Sequence, residues 1–110
     1  LFEAVLRSPG LGRLVAALID ARAKGGAALG LPADQASRLA MATVEGASAL
    51  AAASGVEPAE LARRVASPGG TTEAGLKVMD AADAMLNLAE ATLRAAAQRG
   101  AEMAKAARGG

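Results

Sequence analysis

The chain has 110 residues, with 12 Lys and Arg against 11 Asp and Glu, and it contains no cysteine and no histidine. Near-neutral charge leaves no field to steer nucleic acid or a membrane surface. The two missing residue types remove disulfides, thiolate nucleophiles, and the commonest general base and metal ligand. The length allows one domain or a piece of a longer chain.

The longest stretch without a charge, Gly46 to Val56, covers 11 residues and is too short to span a bilayer. The opening Leu1-Phe2-Glu3-Ala4-Val5 has no basic segment of a signal peptide, and no initiating methionine, as expected of a trimmed or edited chain. A chain without cysteine suits a reducing cytoplasm. Alanine occurs 32 times, and Phe2 is the only aromatic residue. Alanine favours helix but buries little area, so a single copy builds a thin core. Close helix approach and helices from a second chain would compensate, which favours a homo-oligomer.

In chain order, Leu1 to Leu6 reads as a short apolar helical piece. Ser8-Pro9 then reads as a helix start, with Ser8 as N-cap and Pro9 in the first turn. Leu11, Leu14, Val15, Leu18 and Ile19 follow at helical spacing. Gly25-Gly26 weakens this helix or admits another backbone, and Gly30 ends it. Leu31-Pro32 opens a second helix, from about Pro32 to Ser54, with Asp34 in its first turn and Gly55 as its C-cap. Its apolar stripe is Leu39, Val44, Ala47, Leu50 and Ala51, widened by Met41. Pro58 restarts a short helix to about Val65. Another runs from Thr71 to about Asp80, and from Ala81 onward Leu86, Ala89, Leu93, Ala96, Gly100, Met103 and Ala107 lie close to a heptad seam. That seam fits packing within the chain and a seam between subunits equally well. No segment carries a strand signal, so the expected class is all-α, a bundle of about five to six helices in a single domain, residues 1–110.

Ser67-Pro68-Gly69-Gly70-Thr71-Thr72 is the one loop where polar and glycine residues gather between helical patterns. It reads as a turn, with Ser67-Pro68 ending one helix and Gly70-Thr71 capping the next. It also reads as an anion site: glycines allow close approach, a helix start presents free N–H groups, and hydroxyls add donors. Arg63-Arg64 beside it is the basic pair that would assist an anion. Other chemistry is absent: no Walker loop, no zinc spacing, and no strand before Gly10-Leu11-Gly12 to make it a dinucleotide fingerprint. Asp80 and Asp83 read as a solvated face or helix start rather than an acid–base pair. Arg94, Arg99, Lys105 and Arg108 suit the C-terminal dipole of the last helix. No catalytic residue and no metal ligand is assigned.

Gly30-Leu31-Pro32, Ala42-Thr43-Val44 with Gly46-Ala47, Pro58-Ala59-Glu60-Leu61, and Val65-Ala66-Ser67-Pro68-Gly69-Gly70-Thr71-Thr72 with Leu76 together resemble the C-terminal helical dimerisation domain of pyrroline-5-carboxylate reductase. The resemblance is good over residues 27–80 and weaker over 81–104, where Ala96 to Met103 is similar to the family's closing segment. It implies an interlocked all-helical homodimer, able to assemble further, within an enzyme that reduces pyrroline-5-carboxylate to proline with NAD(P)H. It also implies that Ser67 and Thr72 contact the substrate carboxylate through their side chains, while the backbone at Gly69, Gly70 and Thr71 grips it.

Two stretches depart from the family's pattern. Ser8-Pro9-Gly10-Leu11-Gly12-Arg13-Leu14 replaces the segment that opens the family's first long helix, and Asp80 to Leu88 reads as more continuous helix than the family's loop. An edited, repurposed domain would combine these features; a divergent paralogue or a plain excision would share some of them. The expected function is a non-catalytic helical oligomerisation domain without a cofactor of its own, because nothing in these residues supplies the dinucleotide-binding domain. The alternatives are a module that binds proline or a similar small carboxylate, and a fragment of an active reductase.

Overall fold

A computed structural model of the chain describes residues 2–64 and 68–109. Among these residues six α-helices run in the order α1 (Phe2–Arg7), α2 (Gly12–Ala28), α3 (Ala33–Ser54), α4 (Pro58–Arg63), α5 (Thr71–Asp80) and α6 (Ala84–Gly109). Short 3-10 turns at Pro9–Leu11 and Ala81–Asp83 precede α2 and α6. There is no strand among the described residues, as the all-α reading expects. The helices group into two compact units, Gly12–Val65 and Leu1–Leu11 with Ala66–Gly110.

In the first unit, the end of α2 is set by Gly30, whose φ of +115° is rarely open to a residue with a side chain. The N–H of Leu31 donates to the Gly26 carbonyl and that of Gly30 to the Ala27 carbonyl, both at 3.1 Å. These two bonds satisfy carbonyls that the helix end would otherwise leave open. They also fold Leu31 back over Gly26, where an added Cβ would stand 3.3 Å from Leu31 Cδ1 and 3.6 Å from the Ala36 Cβ. Gly26 thus has a packing role, since its missing side chain lets Leu31 and α3 come close.

Helix α3 carries Asp34 in its first turn, where a carboxylate suits the helix dipole. It stops at Gly55, with φ +69° and ψ 8° in the left-handed region. The Ser54 hydroxyl accepts the Val56 N–H and donates to the Ala51 carbonyl, each at 3.1 Å. Pro58 then occupies the first turn of α4, where its missing N–H is not needed.

The core of this unit is made of small residues. Ala23 of α2 meets Ala36 and Ala40 of α3, with Ile19 and Ala27 packed alongside. The stripes expected from apolar spacing lie elsewhere. Leu14, Val15 and Leu18 of α2 are 42–52% exposed, and on α3 Leu39, Met41 and Leu50 are 50%, 53% and 61% exposed. Apolar periodicity marks a face that packs against something; within the chain, α2 and α3 use their alanine faces instead.

In the second unit, α1 and the Pro9–Leu11 turn lie against α6. Ala4, Val5, Ser8 and Leu11 face Ala97 and Gly100 across an open cleft of about 440 Å³. Ala97 is 2% exposed and is the one buried residue of α6. The Ser8 carbonyl accepts the Leu11 N–H at 3.0 Å, so Ser8-Pro9 opens a 3-10 turn, and the α-helix expected to start there begins at Gly12.

Helix α5 ends at Asp80, the boundary expected from the sequence, and the stretch Asp80 to Leu88, which reads as more continuous helix than the family's loop, is bent just after it. Ala82 adopts φ 52°, ψ 32°, and Asp83 adopts φ 55°. Left-handed backbone costs a residue with a Cβ about 1–2 kcal/mol. Asn87 Nδ2 donates to the Ala82 carbonyl at 3.2 Å, one local bond that partly offsets this. The bend also separates Asp80, the last residue of α5, from Asp83, so the two carboxylates do not share a helix face. On α6 the two ends of the heptad stripe stay open to solvent, with Leu86 63% and Met103 58% exposed, while Leu93 and Ala96 in its middle are half-buried.

Candidate functional site

The loop before α5 is built by its glycines. Gly69 has φ +80°, and Gly70 is the N-cap of α5 in extended geometry, φ −84° and ψ −175°, with no side chain capping the helix. The Ala74 N–H closes the first turn on the Gly70 carbonyl at 3.2 Å. Thr71 and Thr72 open the helix and are exposed. Of the five residues expected to grip a carboxylate, Gly69, Gly70, Thr71 and Thr72 are therefore contiguous on one exposed turn, and Ser67 lies outside the described residues.

The sequence reading missed Glu73. Its carboxylate accepts the Gly69 N–H, and Lys77 Nζ stands 3.6 Å from its other oxygen. Glu73 is the third residue of α5, the position from which an acidic side chain reaches back across a helix start. The spacing Gly70-Thr71-Thr72-Glu73 was the available signal. Chemically, this N–H already holds a carboxylate oxygen, so a ligand carboxylate using it has to displace the Glu73 side chain.

Arg63 and Arg64 spend their charge within α4 and its end. Their guanidinium groups stand 2.7 Å and 3.5 Å from the Glu60 carboxylate. The hydrogen bond and charge of Arg63, with a smaller contribution from Arg64, hold the Glu60 carboxyl below its usual range. An anion at the loop would compete with the Glu60 carboxylate for either arginine. On α6, Arg94 pairs with Glu90 at 3.3 Å and Arg99 with Glu102 at 3.8 Å, while Arg108 sits in the last turn.

A dinucleotide requires a strand, a glycine-rich turn and a helix whose N-terminus faces the pyrophosphate. Gly10 and Leu11 lie in a 3-10 turn and Gly12 opens α2, so Gly10-Leu11-Gly12 is not such a strand-to-helix turn. No helix among them is long and apolar enough to cross a membrane.

The pattern of helix stops and the Gly69-Gly70-Thr71-Thr72 turn set the terms for comparison with known proteins. The family model described as pyrroline-5-carboxylate reductase dimerisation matches residues 8–103. The chain belongs to this family. The match takes in both Ser8–Leu14 and Asp80–Leu88, so the departures noted in the sequence fall inside the family's span. The pyrroline-5-carboxylate reductase of Pseudomonas aeruginosa is 49% identical over 88 residues, covering 80% of this chain and 32% of the relative. That of Pisum sativum is 45% identical over 85 residues, 77% of this chain and 31% of the relative. That of Synechocystis sp. is 40% identical over 106 residues, 96% of this chain and 39% of the relative. The chain thus spans about a third of the length of these reductases, the part that the family model describes as dimerising.

Proposed function

We propose that residues 1–110 act as a single self-association domain, in which a second copy covers the apolar helix faces that one copy leaves open. One observation carries this reading. The buried hydrophobic residues among those described are Ala23, Ala36, Ala40 and Ala97, whereas Leu18, Leu39, Leu50, Leu86 and Met103 are all at least half exposed. An arrangement that buries alanine and leaves leucine to solvent forgoes most of the available hydrophobic stabilisation, about 25 cal/mol per Å² of apolar surface. A second copy interlocked with the first restores it. In this reading the chain itself is non-catalytic. Reduction of pyrroline-5-carboxylate with NAD(P)H, in a reducing cytoplasm, belongs to an assembly that includes a separate dinucleotide-binding domain. Light scattering during size-exclusion chromatography tests the association: a mass of two or more copies supports it, and a folded single copy refutes it.

A second reading has its own observation. The Gly69 N–H holds the carboxylate of Glu73, so the turn has the chemistry for a small carboxylate such as proline. Ser67 and Thr72 would supply hydroxyls, and the backbone of Gly69, Gly70 and Thr71 would supply N–H groups. Calorimetric titration with proline decides this reading. Saturable heat supports a binding module, and no heat at millimolar ligand removes it.

A further inference from the structure

Helices α2 and α3 enclose an open groove of about 310 Å³, lined by Arg22 of α2, Leu31 from the intervening turn, and Ala36, Leu39, Ala40 and Thr43 of α3. Its floor is apolar, and Arg22 brings its only charge. Among the described residues Arg22 forms no ion pair, whereas most of the chain's cations stand beside a carboxylate one helical turn away. Arg13, Lys105 and Arg108 also lack such a partner there, but they do not line the groove. A guanidinium at an apolar groove, its stem against the wall and its head free, calls for a carboxylate carried on an apolar surface.

The chain itself supplies such a surface. Asp80 and Asp83 flank the α5–α6 bend and form no ion pair among the described residues. Around them Val78, Met79, Met85, Leu86 and Leu88 are all at least 36% exposed. The other acids without an ion pair fit less well. Glu45 lies two residues past Thr43 and so on another face of α3, and the apolar neighbour of Glu57, Val56, is half-buried. We propose that the α5–α6 bend of one copy seats in the α2–α3 groove of a second copy, with Asp80 and Asp83 facing Arg22. In a two-fold pair each copy gives its groove once and its bend once, so two such contacts form. This contact rests on the self-association proposed above and adds which surfaces meet. Because complementary charge suppresses wrong partners, it also selects which copies assemble.

Two variants of the full chain test the contact. One is Arg22→Glu. The other combines Asp80→Arg with Asp83→Asn. Asp80 has an ordinary φ of −91°, and asparagine tolerates the left-handed backbone of Asp83 as aspartate does. All three positions are exposed, so neither variant disturbs a core. Each variant alone places like charges at both contacts. Its dissociation constant, from light scattering at low salt, is expected to rise at least about tenfold. Mixed one to one, the variants set the new glutamate against the new arginine at one contact and keep Arg22 against Asp80 and Asp83 at the other. The mixture is therefore expected to associate at about parent strength. Such rescue also excludes a groove and bend that pair within one copy. Arg22→Gln removes attraction without adding repulsion and is expected to raise the constant about threefold; no change counts against the contact. Charge-reversed variants that associate like the parent, or a mixture as weak as its components, overturn the contact and leave self-association standing. A parent that stays a single copy at every concentration removes both.

Discussion

Single residues decide where each helix stops, and their effects are separable. Gly30 sits at φ +115° and Gly55 at φ +69°, and an added Cβ at either would meet no neighbouring atom. The cost of alanine at these positions is therefore conformational. Gly30→Ala is expected to destabilise the fold by about 2 kcal/mol and Gly55→Ala by about 1 kcal/mol, read from denaturant midpoints; equal stability to the parent would show that these backbone angles are not held in solution. Such stops were legible in the sequence because glycine followed by a Leu-Pro or Val-Glu-Pro start has few other readings. Glu73 was overlooked although Gly70-Thr71 was already placed at the helix start, because its partner is the N–H of Gly69, one residue outside the cap. Glu60 supplies a pH signature. Its carboxyl is held below the usual range by Arg63 first and then Arg64, so its contribution is present above the unfolded value near 4.5 and fades as pH falls through the lowered folded value. Glu60→Gln is expected to flatten that part of the stability–pH curve, and an unchanged acid limb in the variant would count against the pairing.

Among the helices, the decisive feature is which face each one buries. The α2–α3 pair meets through Ala23, Ala36 and Ala40 with Gly26 beside them, and Ala36 is 3% exposed. Close approach through small side chains leaves no room for a larger one. Ala36→Leu is therefore expected to cost about 2 kcal/mol by overpacking, measured by thermal or chemical unfolding; a neutral result would mean that the two helices stand further apart. Helix existence followed from Pro, Gly and apolar spacing, but the buried face did not. Leu39 and Leu50 form a good stripe in sequence and a solvent-open one in a single copy, because periodicity does not say which chain supplies the opposing surface. The end of α5 at Asp80 was read from the sequence, but the left-handed turn after it was not, since nothing in Asp80-Ala81-Ala82-Asp83 forbids a helix.

At the scale of the whole molecule, these open stripes find their explanation in a family whose described role is dimerisation. If a second copy covers α6, a charge on its seam must weaken the assembly while a charge elsewhere must not. Leu86→Asp is expected to raise the dissociation constant by at least about tenfold, since desolvating an unpaired carboxylate is costly. Leu29, 91% exposed just past the end of α2, lies on no stripe, and Leu29→Asp is the matched control expected to leave the assembly intact. Equal weakening by both would point to a general charge effect instead of a seam. The central claim is tested most directly by the absolute mass in solution, from light scattering across a tenfold range of concentration. The account predicts a concentration-independent whole multiple of the 10.8 kDa chain, two copies or more. A helical, cooperatively unfolding species of 10.8 kDa at every concentration would contradict it.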